Sequence, residues 1–218
     1  MSDADLTPAA EPAESVVAPA RKRPKPGERR IQILQALASM LEQPGAERIT
    51  TAALAARLEV SEAALYRHFA SKAQMFEGLI EFIEQAVFTL VNQIAEREAG
   101  ATDPAAGARH AGKVVTMLLQ FAEKNPGMVR VMVGDALVYE NERLQQRMNQ
   151  FFDKIESTLK QCLRDGAAAG LATPTADAQV QASVLTAFVV GRLQRFARSG
   201  FRRVPTEHLE ASLGQMLR

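Results

Sequence analysis

From Thr50 to Phe69 the chain reads TTAALAARLEVSEAALYRHF, and its apolar positions fall where two short helices joined by a tight turn would share a core. Leu54 and Leu58 lie one turn apart on the first helix, Val60 plugs the turn, and Leu65 and Phe69 face back from the second. Ser61 is placed as an N-cap, and the alanines after it leave the front of the second helix free of bulk, so that it could enter a major groove. An ordinary helical hairpin in an all-α protein would share this short pattern.

The same recurrence at three and four residues predicts further helices. Ile31, Leu34, Leu37, Ala38 and Leu41 mark the buried side of a helix from about 28 to 42, stopped by Gln43-Pro44-Gly45. Met75, Leu79, Ile83, Val87, Leu90 and Ile94 mark a long helix from about 71 to 97, a connector from the first unit into a second, with Phe76 and Phe82 widening its stripe. Val114 to Phe121 is almost continuously apolar, as in a helix buried on several sides, until Asn125-Pro126-Gly127 breaks it and a shorter apolar helix follows. Leu144, Met148, Phe151, Ile155, Leu159 and Leu163 then form a seam on one long helix. A second, from about 177 to 199, carries Val184, Leu185, Phe188, Val189, Leu193 and Phe196, with Ser183, Ala187 and Gly191 at every fourth position as a small-residue stripe that lets another helix approach. The expected dimer interface joins Leu144, Met148, Phe151, Ile155 and Leu159 to Val184, Ala187, Phe188 and Gly191; the alternative is that both helices pack within one chain. A lone helix-turn-helix buries too little DNA for tight selective binding, and pairing across a two-fold axis supplies two heads.

Composition permits this without requiring it. A chain of 218 residues, 47% hydrophobic, has enough apolar mass for a small domain and a larger one, and a formal net charge of +1 argues against a nonspecific coat for nucleic acid. The distribution says more: residues 1–20 carry four acids and no base, 21–72 carry ten Lys/Arg against five acids, and 73–218 balance at sixteen each. The reading is therefore an acidic, Pro-rich tail with a basic end (1–27), a helix-turn-helix domain (28–72) and a helical dimerisation and partner-binding domain (73–218). Arg21, Lys22, Arg23 and Lys25 are either a solvated tail or an arm that reaches phosphates or a minor groove. A further basic cluster, Arg192, Arg195, Arg198, Arg202 and Arg203, reads as a solvated face or as a docking site for an acidic partner.

Cys162 is the only cysteine, and His68, His110 and His208 lack metal-ligand spacing, so neither a disulfide nor a metal site is expected. There is no Gly-rich phosphate loop or nucleophile motif, which leaves no support for an enzyme or a cofactor. No apolar h-region or membrane-length apolar run occurs, and a cytoplasmic location is the simplest expectation.

The window continues as YRHFASK, ending one helix and starting another, and these residues in this order resemble the DNA-binding domain of TetR-family regulators. The resemblance implies an all-α fold, a three-helix DNA-binding domain plus a larger helical domain, and a homodimer on palindromic double-stranded DNA, leaving open more than one dimer per site. Thr50, Tyr66, His68 and Lys72 would hold phosphates, Ser61, Glu62, Ala63 and Ala64 would lie closest to base edges, and Thr51 and Arg67 would belong to the same DNA-binding set.

Further along, SEAALYRHFASKAQMFEGLIEFIE, NPGMVRVMVGDALVYENERLQQRMNQFF and GRLQRFARSGFRRVPT resemble the nucleoid-occlusion members of that family, which bind DNA and restrain assembly of the cell-division protein FtsZ. That similarity implies a nucleoid-associated protein with a groove for the FtsZ C-terminal tail built from Phe82, Met117, Gln120, Lys124 and Asn125, apolar along its floor with a cation at one end. Two positions depart from the pattern: Glu59 stands at a turn where many family members carry glycine, and Lys124 stands where arginine is favoured. The alternatives are a repressor released from its operator by a small apolar ligand, which needs a cavity among the later helices, and a purely architectural DNA-binding protein.

Overall fold

The computed structural model describes the backbone of residues 27–43, 49–100, 103, 105–138, 140–167 and 175–217, and the side chains of all these except 166, 167 and 175–177. The basic arm at Arg21, Lys22, Arg23 and Lys25 lies outside the described residues. Among those described, regular structure is entirely helical: α1 (Glu28–Leu41), α2 (Thr51–Arg57), α3 (Glu62–Tyr66), α4 (Lys72–Glu98), α5 (Ala106–Lys124), α6 (Pro126–Met132), a 3₁₀ turn (Asp135–Leu137), α7 (Glu142–Ala167), α8 (Thr175–Arg198) and α9 (Leu209–Met216).

Three consecutive helices start on hydroxyl caps. The side chains of Thr50, Ser61 and Ser71 accept the backbone N–H of Ala53, Ala64 and Gln74, satisfying donors that the first turns of α2, α3 and α4 would leave unpaired. Leu54, Leu65 and Phe69 are fully buried, with Leu58 and Val60 packed at their edge, so the hairpin core is the one its sequence predicts. Glu59 closes α2 at φ +52°, the left-handed conformation that favours glycine.

Polar pairs fix how the long helices run. Lys72 with Glu140, Glu84 with Arg147, and Phe88 edge-on to Phe151 set the start of α7 beside the start of α4, the two rising together. Glu98 meets Lys113 and Arg109, so α5 descends along α4, and Gln179 donates to Glu156, so α8 descends along α7. One apolar cluster runs from Ile33 in α1 to Leu209 in α9 and joins the small three-helix head to the body. The tightest contact between them is at Gly127, where a Cβ would stand 1.9 Å from the carbonyl oxygen of Ala38; only glycine lets α6 lie this close to α1.

Two expectations are corrected, and one helix was not foreseen. Ile31 is 47% exposed and Ile33 takes its place in the core, because the buried stripe of α1 is Ile33, Leu34, Leu37, Ala38 and Leu41. Leu144, Met148, Phe151, Ile155 and Leu159 are at most 1% exposed within the single chain, so that seam is the chain's own core and has no side-chain surface left for a second copy. A polar-faced helix whose apolar stripe is covered by α4, α5 and α8 gives the same periodicity as one covered by a partner. Finally, α9 lay unread in the sequence: it is eight residues long and only weakly amphipathic.

Candidate nucleic-acid interface

Three of the head's predicted DNA residues are joined by hydrogen bonds. Thr51 Oγ1 donates to Glu62 Oε2 at 2.6 Å, and the Tyr66 hydroxyl donates to Thr51 Oγ1 at 3.4 Å, a chain that spans α2 and α3 and fixes the angle between them. Glu62 and Ala63 are exposed and Ala64 is half-buried at the front of α3, while Tyr66, Arg67 and His68 are exposed where it ends. Thr50 and Ser61, both exposed, each accept one capping bond, from Ala53 N–H and Ala64 N–H. Arg57 donates to Ser39 Oγ at 2.9 Å and ties α2 back to α1.

Lys72 is held differently from the rest. Its Nζ lies 2.5 Å from Glu140 Oε1 and 5.7 Å from the centre of the Phe76 ring, at the junction of head and body. Arg30, which sequence reading passed over, donates to the His68 carbonyl at 3.0 Å and lies 4.1 Å from the centre of the Phe69 ring. It braces the end of α3 from the start of α1; nothing in a linear sequence pairs residues this far apart.

The second set of predicted residues lies on α4 and α5. A cleft of about 380 Å³ separates the two helices, lined by Leu90, Ile94, Arg97, Lys113, Met117 and Gln120 among others. Met117 and Gln120 thus share one site. Phe82, Lys124 and Asn125 are outside that lining; the descending register of α5 puts them lower, with Phe82 half-buried at about the height of the α5 end. Lys124 is exposed, and Asn125 Nδ2 donates to the Phe121 carbonyl at 2.7 Å, capping α5. Glu123 accepts from Thr206 Oγ1 at 2.5 Å, which binds the segment before α9 to the same end of α5.

On the opposite side, α8 buries Ala182, Leu185, Val189 and Leu193 and turns Val180, Val184 and Ala187 outward, with Phe188 half-buried. A Cβ on Gly191 would meet nothing within 4 Å. This face is apolar, narrow in side chain and unoccupied within the protomer, whereas the exposed face of α7 carries Gln146, Asn149, Gln150, Asp153 and Lys154. Of the expected interface only the α8 half remains available. Among the described residues no cluster of His, Cys, Asp and Glu is suited to a metal ion. Burial pushes the Cys162 thiol up to about 12, so it stays protonated and packs as an apolar group. No described helix is long and apolar enough to cross a membrane.

Comparison with known proteins separates the two halves in the same way. Residues 33–79 match the model of bacterial regulatory proteins of the tetR family, and 109–218 match the SlmA-like model of the tetracyclin repressor-like C-terminal domain. The nucleoid occlusion factor SlmA of Idiomarina loihiensis is 50% identical over 183 residues, 84% of this chain and 90% of that protein. The protein of the same name from Vibrio vulnificus is 49% identical over 187 residues, 85% and 92% of the two chains. Among solved structures, FadR of Bacillus subtilis in complex with stearoyl-CoA superposes with a TM-score of 0.69 at 13% identity, covering 86% of this chain and 97% of that one. A TetR-family regulator from Bordetella parapertussis gives 0.64 at 16%, covering 88% and 95%. Those two likenesses establish the fold, while half-identity over a span that takes in both head and body establishes the lineage: the chain belongs to the TetR family of bacterial regulatory proteins, in its SlmA branch.

Proposed function

We propose that this protein is a nucleoid occlusion factor: a homodimer that binds palindromic chromosomal sites through its two heads and, in that state, takes the C-terminal tail of FtsZ on the α4–α5 face, restraining Z-ring assembly over the nucleoid. The observation that carries the reading is identity near one half to SlmA proteins across the body as well as the head. The body is the half in which TetR-type regulators diverge with their partners, so likeness there points to a shared partner. Thr50, Thr51, Tyr66, Arg67, His68 and Lys72 hold phosphates in this reading, and Ser61, Glu62, Ala63 and Ala64 approach the bases.

In this reading the partner site takes in the α4–α5 cleft, where Leu90, Ile94 and Met117 give apolar contact beside the cations Arg97 and Lys113, together with Phe82, Lys124 and Asn125 lower on the same helices. Because α4 begins at the head and forms one wall, a change in head position moves that wall relative to α5. DNA and the FtsZ tail are thereby coupled through one helix. The test is titration of labelled FtsZ tail peptide into the DNA-bound protein. Lys124→Asp and Phe82→Ala should keep DNA affinity and lose tail binding; undiminished binding by both would remove the groove from the site. A repressor emptied of DNA by a small apolar ligand would instead release its duplex on adding that ligand and leave the tail peptide unbound.

A further inference from the structure

The last turns of α8 and the loop beyond it hold an arginine cluster that the proposed function does not use. Arg195, Arg198, Arg202 and Arg203 are all exposed, and none forms an ion pair with a described carboxylate. Arg195, Arg202 and Arg203 open onto one hollow of about 440 Å³, floored by Val204 and Thr206 and edged by Glu207.

Ser199 shapes the turn that carries Arg202 and Arg203. Ser199 Oγ accepts the backbone N–H of Arg202 at 3.1 Å and of Arg203 at 2.9 Å, and the Ser199 carbonyl accepts Arg202 Nε at 2.9 Å. Phe201 is fixed at φ +62°, a conformation costly for an aromatic residue, with its ring 5.1 Å from Phe196 and 5.2 Å from the Arg130 guanidinium. Strain of this kind persists only where the surroundings hold it, and here they hold a turn that displays two adjacent arginines.

Position selects the partner. Arg195 lies about sixteen residues, roughly 24 Å, beyond Gln179 along α8, and Glu140 lies about as far before Glu156 on the antiparallel side, the two helices being pinned at the Gln179–Glu156 hydrogen bond. Glu140 is paired with Lys72, the first residue of α4, so the arginine cluster stands level with the base of the body, on the side of the heads. Arg195 also continues the outward face of Val180, Val184, Ala187 and Gly191, so pairing on that face brings the clusters of both protomers toward the axis between the heads. Two such clusters repel each other unless polyanion lies across them, and the duplex spanning two half-sites lies there.

We propose that Arg195, Arg198, Arg202 and Arg203 form a second DNA contact, a basic saddle between the heads that grips backbone phosphates without reading sequence. This rests on the DNA-binding reading above and goes beyond the helix-turn-helix. The test uses the full-length dimer and a mixed-sequence duplex long enough to span both heads, with affinity followed against salt. Arg198→Gln/Arg203→Gln, which spares the dimer face and the Ser199 turn, should keep its melting temperature, bind roughly tenfold more weakly and lose about 0.9 from the salt slope per phosphate contact, hence about 3.6 for the dimer when each protomer loses both. Arg198→Lys/Arg203→Lys should restore the slope, since a phosphate contact needs charge more than a planar fork. An unchanged slope and affinity in the glutamine variant would overturn the saddle, and so would loss of FtsZ tail binding with DNA binding intact, which would give this surface to a protein partner. Failure of the unaltered protein to bind any duplex would instead remove the DNA-binding reading itself.

Discussion

Lys72 is a DNA anchor by sequence and an ion-pair partner by structure, and the two descriptions compete. Its Nζ is held at 2.5 Å by a Glu140 carboxylate that is itself largely buried, so a phosphate can claim the lysine only by displacing or sharing that partner. Lys72→Ala should weaken binding to all duplexes alike and lower the salt slope by about 0.9 per lost contact. Glu140→Gln, which frees the lysine, should raise affinity in the same titration. If the glutamine variant binds no better while Lys72→Ala does bind less well, the ion pair persists on DNA and Lys72 acts through its body contact. Ser61 was plain in the sequence as a cap because its cause is local; the structure adds Thr50 and Ser71, which cap the helices that follow them by the same bond three residues long. Glu59 was visible as a non-glycine at a glycine-favoured turn and does adopt the left-handed backbone.

Between elements, the contact that decides how the head sits on the body is α1 against α6. Alanine ordinarily gains about 1 kcal/mol over glycine inside a helix, so Gly127→Ala would be expected from propensity alone to stabilise α6. The Ala38 carbonyl reverses the sign: a methyl group 1.9 Å from that oxygen forces the helices apart. The expected net loss is about 1–3 kcal/mol, a fall of several degrees in melting temperature for a chain of this size. A melting temperature equal to or above that of the unaltered protein would show that α6 shifts freely and that its closeness to α1 is incidental. The tripeptide Asn125-Pro126-Gly127 marked a helix break in the sequence, but the partner that requires the glycine is far away along the chain and emerges only in the fold.

For the molecule as a whole, assembly turns on which apolar face remains after the protomer has folded. Val180 and Val184, 62% and 48% exposed, lie with Ala187 and Gly191 on one side of α8, and a Cβ on Gly191 would meet nothing within the protomer. Gly191→Leu is therefore a clean probe: the new side chain enters open space in the single chain and collides only with an apposed helix. Circular dichroism should stay native while sedimentation at low protein concentration shows dissociation, with loss of affinity for a palindromic duplex. A full dimer with normal duplex binding would place the two-fold contact elsewhere on the surface.

Alone, the sequence determined the all-α class, the helix-turn-helix, the Ser61 cap, the long connector and the small-residue face of α8, because each follows from periodicity or from bonds spanning a few residues. It could not decide which apolar stripe faces inward. The Leu144 to Leu159 seam and the α8 face have similar periodicity, yet the body closes over the first and leaves the second open, a choice made by the docking of α4, α5 and α8 around α7. The Lys72–Glu140 pair, the brace from Arg30 to the end of α3, the seat of Gly127 on α1 and the height of the α8 arginines on the bundle have the same origin. Each joins residues distant along the chain, and their distances and charges acquire meaning only when packing brings them together.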